Sequence, residues 1–177
     1  RKWRLVAEAP GLGCFEGDEF QQMAALEMAD NQGGLCVGHG GTGKSVILRR
    51  LQEILIERGF EVHVCAFSHV AAQNCGGTTI LRELFSKLQC KRCAVLIDES
   101  SMVSLKLWGA LAQMKMTGNI FFVFGDCAGQ FLPITDSHRA ELLEGIERSR
   151  FMHSLCAGLR VEIHKYREEQ TITTSTS

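Results

Sequence analysis

The chain has 177 residues, with 19 Lys and Arg against 20 Asp and Glu, and 45% of it is hydrophobic. That is enough to bury one substantial core and matches the size of a single compact domain. With 22% charged residues, 18 Gly and two Pro, the composition excludes a fibre or a disordered linker. A net charge of −1 excludes a global basic field, so any contact with nucleic acid must be local.

No apolar run approaches the roughly 18 to 20 residues that cross a bilayer, and Arg1-Lys2-Trp3-Arg4 leads into no signal-peptide pattern. The expectation is a soluble intracellular protein with no membrane partner. The eight Cys are scattered through apolar segments, which reads as reduced, mostly buried thiols rather than a disulfide framework. Cys90 and Cys93 form a Cys-x-x-Cys pair, but no second pair or His pair stands at ligand spacing in the sequence, so a structural zinc site is not expected.

Apolar segments of strand length recur at 34–38, 61–66, 94–98, 119–124 and 160–164. Most are near-continuous apolar runs, as strands buried on both faces of a parallel sheet require. Helical patterns fall between them at 18–30, 43–58, 78–88 and 102–115. Strand and helix alternate, which predicts a three-layer α/β domain with a mostly parallel sheet and ligands at the carboxyl ends of the strands. The domain is expected over 1–168, with 169–177 a disordered tail. Trp108, at helical spacing with apolar neighbours, reads as core.

Directly after the 34–38 strand, and opening a long helix, stands Gly38-His39-Gly40-Gly41-Thr42-Gly43-Lys44-Ser45. It fits the phosphate-loop pattern Gly-x-x-x-x-Gly-Lys-Ser/Thr in the context that pattern requires. The loop glycines, Gly38, Gly40, Gly41 and Gly43, with Thr42, let backbone N–H groups converge on phosphate oxygens. Lys44 reaches the β- and γ-phosphates of a nucleotide, and Ser45 offers an oxygen to Mg2+. About fifty residues later an apolar strand ends in Asp98-Glu99. Asp98 suits Mg2+ and Glu99 suits the attacking water, since one carboxylate cannot easily do both jobs. A further strand ends in Gly125-Asp126 and is followed by Gln130, a candidate sensor of the γ-phosphate.

Together these motifs resemble the superfamily 1 DNA helicases, in the RecD-like and PIF-type branch that moves 5′ to 3′ on single-stranded DNA. GHGGTGKS is similar to motif I, Phe67 to Ile80 to motif Ia and its following Gly-Gly-x-Thr element, and Ile97 to Met102 to motif II. Gly125 to Ile134 is similar to motif III, and Tyr166-Arg167 to the Tyr-Arg of motif IV. The resemblance covers about 15–168 and implies a RecA-like, P-loop NTPase fold.

It also implies that Gln21, with Gln22 as the neighbouring alternative, reads the adenine edge and that Arg167 touches the γ-phosphate. Ser68, His69, Thr78 and Thr79 become candidates for single-stranded DNA. A second RecA-like domain bearing motifs V and VI is an implied partner. Two departures stand out: Thr79-Ile80-Leu81 where the family has Thr-Ile-His, and three residues between Asp126 and Gln130 where it has two. Translocation needs two domains closing on each other, so one domain alone is expected to bind Mg·ATP and turn it over slowly. The competing reading is a nucleotide-dependent switch or binding module without motor activity. A small-molecule kinase has no use for the 98–102 and 125–134 segments.

Overall fold

The computed structural model describes residues 2–7, 19–66, 93–103, 105–115, 118–126 and 145–164. Its centre is one six-stranded sheet, entirely parallel. In chain order the elements are β1 (Arg4–Ala7), α1 (Glu19–Asn31), β2 (Gly34–Gly38), α2 (Lys44–Glu57), β3 (Glu61–Ala66) and β4 (Cys93–Asp98). A single 3-10 turn (Ser100–Met102), α3 (Leu105–Lys115), β5 (Ile120–Gly125), α4 (Arg150–Leu155) and β6 (Leu159–Ile163) follow. The strands lie in the order β1-β6-β2-β5-β4-β3. The expected three-layer α/β architecture is therefore present.

The layers follow from the two-residue period of a strand. Cys36, Ala94, Leu96, Phe122, Phe124 and Val161 point to one face, where they pack with α1 and α2. Leu35, Val37, Val95, Ile97, Phe121 and Val123 point to the other, where Trp108, Leu111 and Met152 meet them from α3 and α4. Every residue of β2 and β5 is buried, as continuous apolar strands at the middle of a parallel sheet must be. Trp108 is core, as its spacing indicated.

Helix α1 buries Phe20, Ala24 and Met28 along one row and Gln21, Ala25 and Ala29 along the next. The alanines let it approach α2, which buries Ile47, Leu48, Leu51, Ile54 and Leu55 at the 3.6-residue spacing of an apolar stripe. Two elements go beyond the periodic pattern. β1 is a four-residue edge strand with three exposed positions, and its apolar stretch Leu5-Val6-Ala7 is too short to stand out as a pattern. α4 is a six-residue helix, capped by Ser149, whose hydroxyl accepts from the Met152 N–H at 3.1 Å. The strand before the phosphate loop is thus the second in the chain, not the first. The helix expected over 78–88 lies outside the described residues.

Candidate functional site

The carboxyl ends of β2, β5 and β4 form a row. Val37 pairs with Gly125 and Ile97 with Val123. The loop after β2 and the acidic end of β4 therefore flank β5, two strand spacings or about 10 Å apart. The loop and Asp98-Glu99 share one rim of the sheet, as a common site requires.

Local sequence shapes the loop. Gly38 is hemmed in: a Cβ there would lie 2.8 Å from Thr42 Oγ1 and 2.9 Å from the Ile163 carbonyl oxygen. Thr42 is fully buried, and its hydroxyl donates to the His39 carbonyl at 2.7 Å, closing the turn from inside. Gly41 and Gly43 hold φ of 78° and 95°, the left-handed region that residues with a Cβ rarely enter. Helix α2 then starts at Lys44, with the Val46 and Ile47 N–H groups bonded back to Gly43 O. The Lys44 and Ser45 N–H groups ahead of them have no acceptor within the helix, so this helix end carries partial positive charge. Ser45 is exposed beside it.

Lys44 is held on three sides. Its ammonium donates to Gly38 O at 2.8 Å, His39 O at 2.9 Å and Asp126 Oδ1 at 2.7 Å, which uses all three of its N–H donors. Convergent N–H groups, a helix start and this ammonium make the loop an anion site. Asp126 is the residue that sequence reasoning passed over as part of an ordinary Gly-Asp turn. Its signal was the one that marked Asp98: an apolar strand ending in a carboxylate.

Gln21 is 1% exposed, and its Nε2 donates to Gly43 O at 3.3 Å, so α1 braces the phosphate loop. Its Oε1 is buried with no hydrogen-bond partner among the described residues. An amide held this way has one acceptor to offer.

At the end of β4, Asp98 Oδ1 accepts the Glu99 N–H at 2.9 Å. Glu99 itself sits at φ 53°, ψ 54°, a left-handed conformation that costs a residue with a Cβ about 1–2 kcal/mol. Strain of this kind gathers at functional sites. The turn continues into buried Ser100, which packs so closely on Gly125 that a Cβ there would overlap the Ser100 hydroxyl. The end of β5 thus fixes the end of β4. Of the other sequence candidates, Gln130, Arg167, Ser68, His69, Thr78 and Thr79 lie outside the described residues.

A model of the AAA domain matches residues 17–148. The chain belongs to the AAA domain family. No curated protein matches it. Among solved structures it is similar to the Pif1 helicase from Candida albicans, with a TM-score of 0.59 at 19% identity over 83% of this chain. It is also similar to AMPPCP-bound DnaA from Aquifex aeolicus, with a TM-score of 0.50 at 19% identity over 84% of this chain. This AAA-family chain spans 39% of the Pif1 structure and 47% of the DnaA structure. Both likenesses agree with the P-loop NTPase fold.

Proposed function

We propose that this AAA domain is the first motor domain of a DNA helicase, binding Mg·ATP and coupling its hydrolysis to movement along single-stranded DNA. The supporting observation is the single rim that holds the Lys44 loop, Asp126 and Asp98-Glu99 side by side. The triphosphate fits the loop: a Cβ built on Gly40 or Gly41 meets nothing within 4 Å, so phosphate oxygens can come close to the backbone. In this reading N–H groups of the Gly40 to Ser45 turn hold those oxygens, and the Lys44 ammonium joins them by exchanging its Asp126 contact for phosphate. Thr42 and Gly38 keep the turn in shape from beneath.

Ser45, exposed in the first turn of α2, and Asp98 on the facing strand end make a hard-oxygen donor pair suited to Mg2+. When bound, the ion neutralises charge on the β- and γ-phosphates. Glu99, held next to Asp98, takes the proton of the attacking water. Gln21 Oε1 is an acceptor for the exocyclic amine of adenine. Gln130 and Arg167 as γ-phosphate contacts, and Ser68, His69, Thr78 and Thr79 as DNA contacts, complete the reading from the motifs.

A second RecA-like domain is its necessary partner, because an arginine donated across the cleft contributes about 10³ to 10⁵ in rate. The test is nucleotide binding and turnover by the 177-residue chain, with and without single-stranded DNA. Tight Mg·ATP binding with slow turnover is expected. Fast, DNA-stimulated hydrolysis by this chain alone would contradict the need for a partner domain, and equal binding by Lys44→Ala would overturn the nucleotide site itself. A longer natural chain that binds ATP without unwinding DNA would leave the switch module as the better description.

A further inference from the structure

At the opposite end of the sheet from the phosphate loop, three metal-ligating side chains meet. Glu61 and His63 are two apart on edge strand β3 and so share a face. Cys93 opens β4 directly opposite Glu61 in the register. The Glu61 carboxylate, the His63 imidazole and the Cys93 sulfur offer ligand atoms that all lie within 4.8 Å of one another. We propose that Glu61, His63 and Cys93 form a zinc-binding site that ties edge strand β3 to β4, separate from the nucleotide site.

Three observations carry this. His63 Nε2 lies 3.2 Å from Glu61 Oε1, yet it is buried and makes no hydrogen bond among the described residues. Two ligands bound to zinc at about 2.0–2.1 Å with a tetrahedral angle stand roughly 3.4 Å apart, so the pair needs almost no rearrangement to share one ion. The donor set is a thiolate, an imidazole and a carboxylate, the combination that favours zinc over magnesium or calcium. Exposure is graded: Cys93 is fully buried, whereas the side chain of His63 is 16% exposed and that of Glu61 52%. An ion therefore has a route in through Glu61 and a half-buried seat beneath it.

Charge closes as well. On binding, Cys93 releases its proton to solvent and His63 binds through the lone pair of its neutral ring. The two anionic ligands then balance the 2+ ion, so nothing charged is left in a largely buried place. The site is independent of the magnesium position. Cys93 and Asp98 stand at opposite ends of β4, five residues or about 16 Å apart at the strand rise.

The experiment is a Co2+ titration of the chelator-treated full chain, followed by displacement with Zn2+. Binding of one Co2+ with a thiolate-to-cobalt charge-transfer band, erased by Zn2+, is expected. Cys93→Ser should abolish the band and His63→Gln should weaken binding by at least about tenfold. Because Cys93 is fully buried and its substitution puts the fold at risk, His63→Gln and Glu61→Gln on the half-exposed strand are compared in parallel. Zinc should raise the thermal midpoint of the wild type and leave that of His63→Gln unchanged. Absence of a thiolate band overturns the proposal. So does a band that His63→Gln leaves at full affinity, since cysteines alone would then hold the ion.

Discussion

Lys44 Nζ lies 2.7 Å from Asp126 Oδ1, a contact between residues 82 positions apart that joins the start of α2 to the end of β5. The lysine side chain is 14% exposed and the aspartate 50%, so the pair sits at the mouth of the site with the ammonium on its inner side. Lys44→Ala is expected to weaken Mg·ATP binding by about 2–3 kcal/mol, the worth of a charge-assisted bond at a protected site. Asp126→Asn should stay within about tenfold of wild type, since the Gly38 and His39 carbonyls still hold the lysine, and should alter stability by less than about 1 kcal/mol. Titration with a fluorescent nucleotide and denaturant melts measure both.

Gly38 and Gly40 separate fold from function within one loop. Gly38→Ala drives a methyl against the Ile163 backbone carbonyl and Thr42 Oγ1, and about 1–3 kcal/mol of stability should be lost. Gly40→Ala meets nothing within 4 Å and should leave stability within about 0.5 kcal/mol of wild type. Urea unfolding of the two variants checks the contrast.

Glu99 combines an unfavourable backbone with a catalytic assignment. Asparagine enters the left-handed region more readily than glutamate. Glu99→Asn should therefore raise stability by up to about 1 kcal/mol while removing the proposed general base, with a rate loss of about 10² to 10⁴ in hydrolysis. Thermal melts together with single-turnover phosphate release decide it; a variant that loses stability and keeps its rate contradicts both halves.

Gln21→Met replaces a buried amide with an apolar chain of similar length. It removes the bond to Gly43 O and, with it, a buried acceptor that has no partner among the described residues, so the net change in stability should be under about 1 kcal/mol. If the side chain reads adenine, preference for ATP over GTP falls in competition binding while stability holds.

Burial pushes the Cys156 thiol well above its ordinary 9.0, and the nearby Lys115 ammonium offsets this only in part. A folded-state value above the unfolded one means the protonated thiol supports the fold fully below pH 9.0, and that support is lost as pH climbs beyond it. Denaturation midpoints should fall above that pH with a steeper slope in wild type than in Cys156→Val. The same burial predicts that Cys156 resists alkylation until the protein unfolds.

The sequence by itself determined the parts whose physics is local. The glycines, Lys44 and Ser45 of the phosphate loop must be contiguous because one turn builds the anion site, and the apolar runs of β2, β4 and β5 must be continuous because both faces are buried. The helical patterns over 18–30, 43–58 and 102–115 declared themselves by period because each buries an apolar stripe. Edge strand β1 and the short α4 stayed hidden: neither buries a long enough stripe to leave a pattern. Only the tertiary structure decided which distant residues meet. It set Asp126 on Lys44, Gln21 beneath Gly43, Ser100 against Gly125, and His63 and Glu61 beside Cys93. Those encounters depend on strand order and register, which no spacing along the chain encodes.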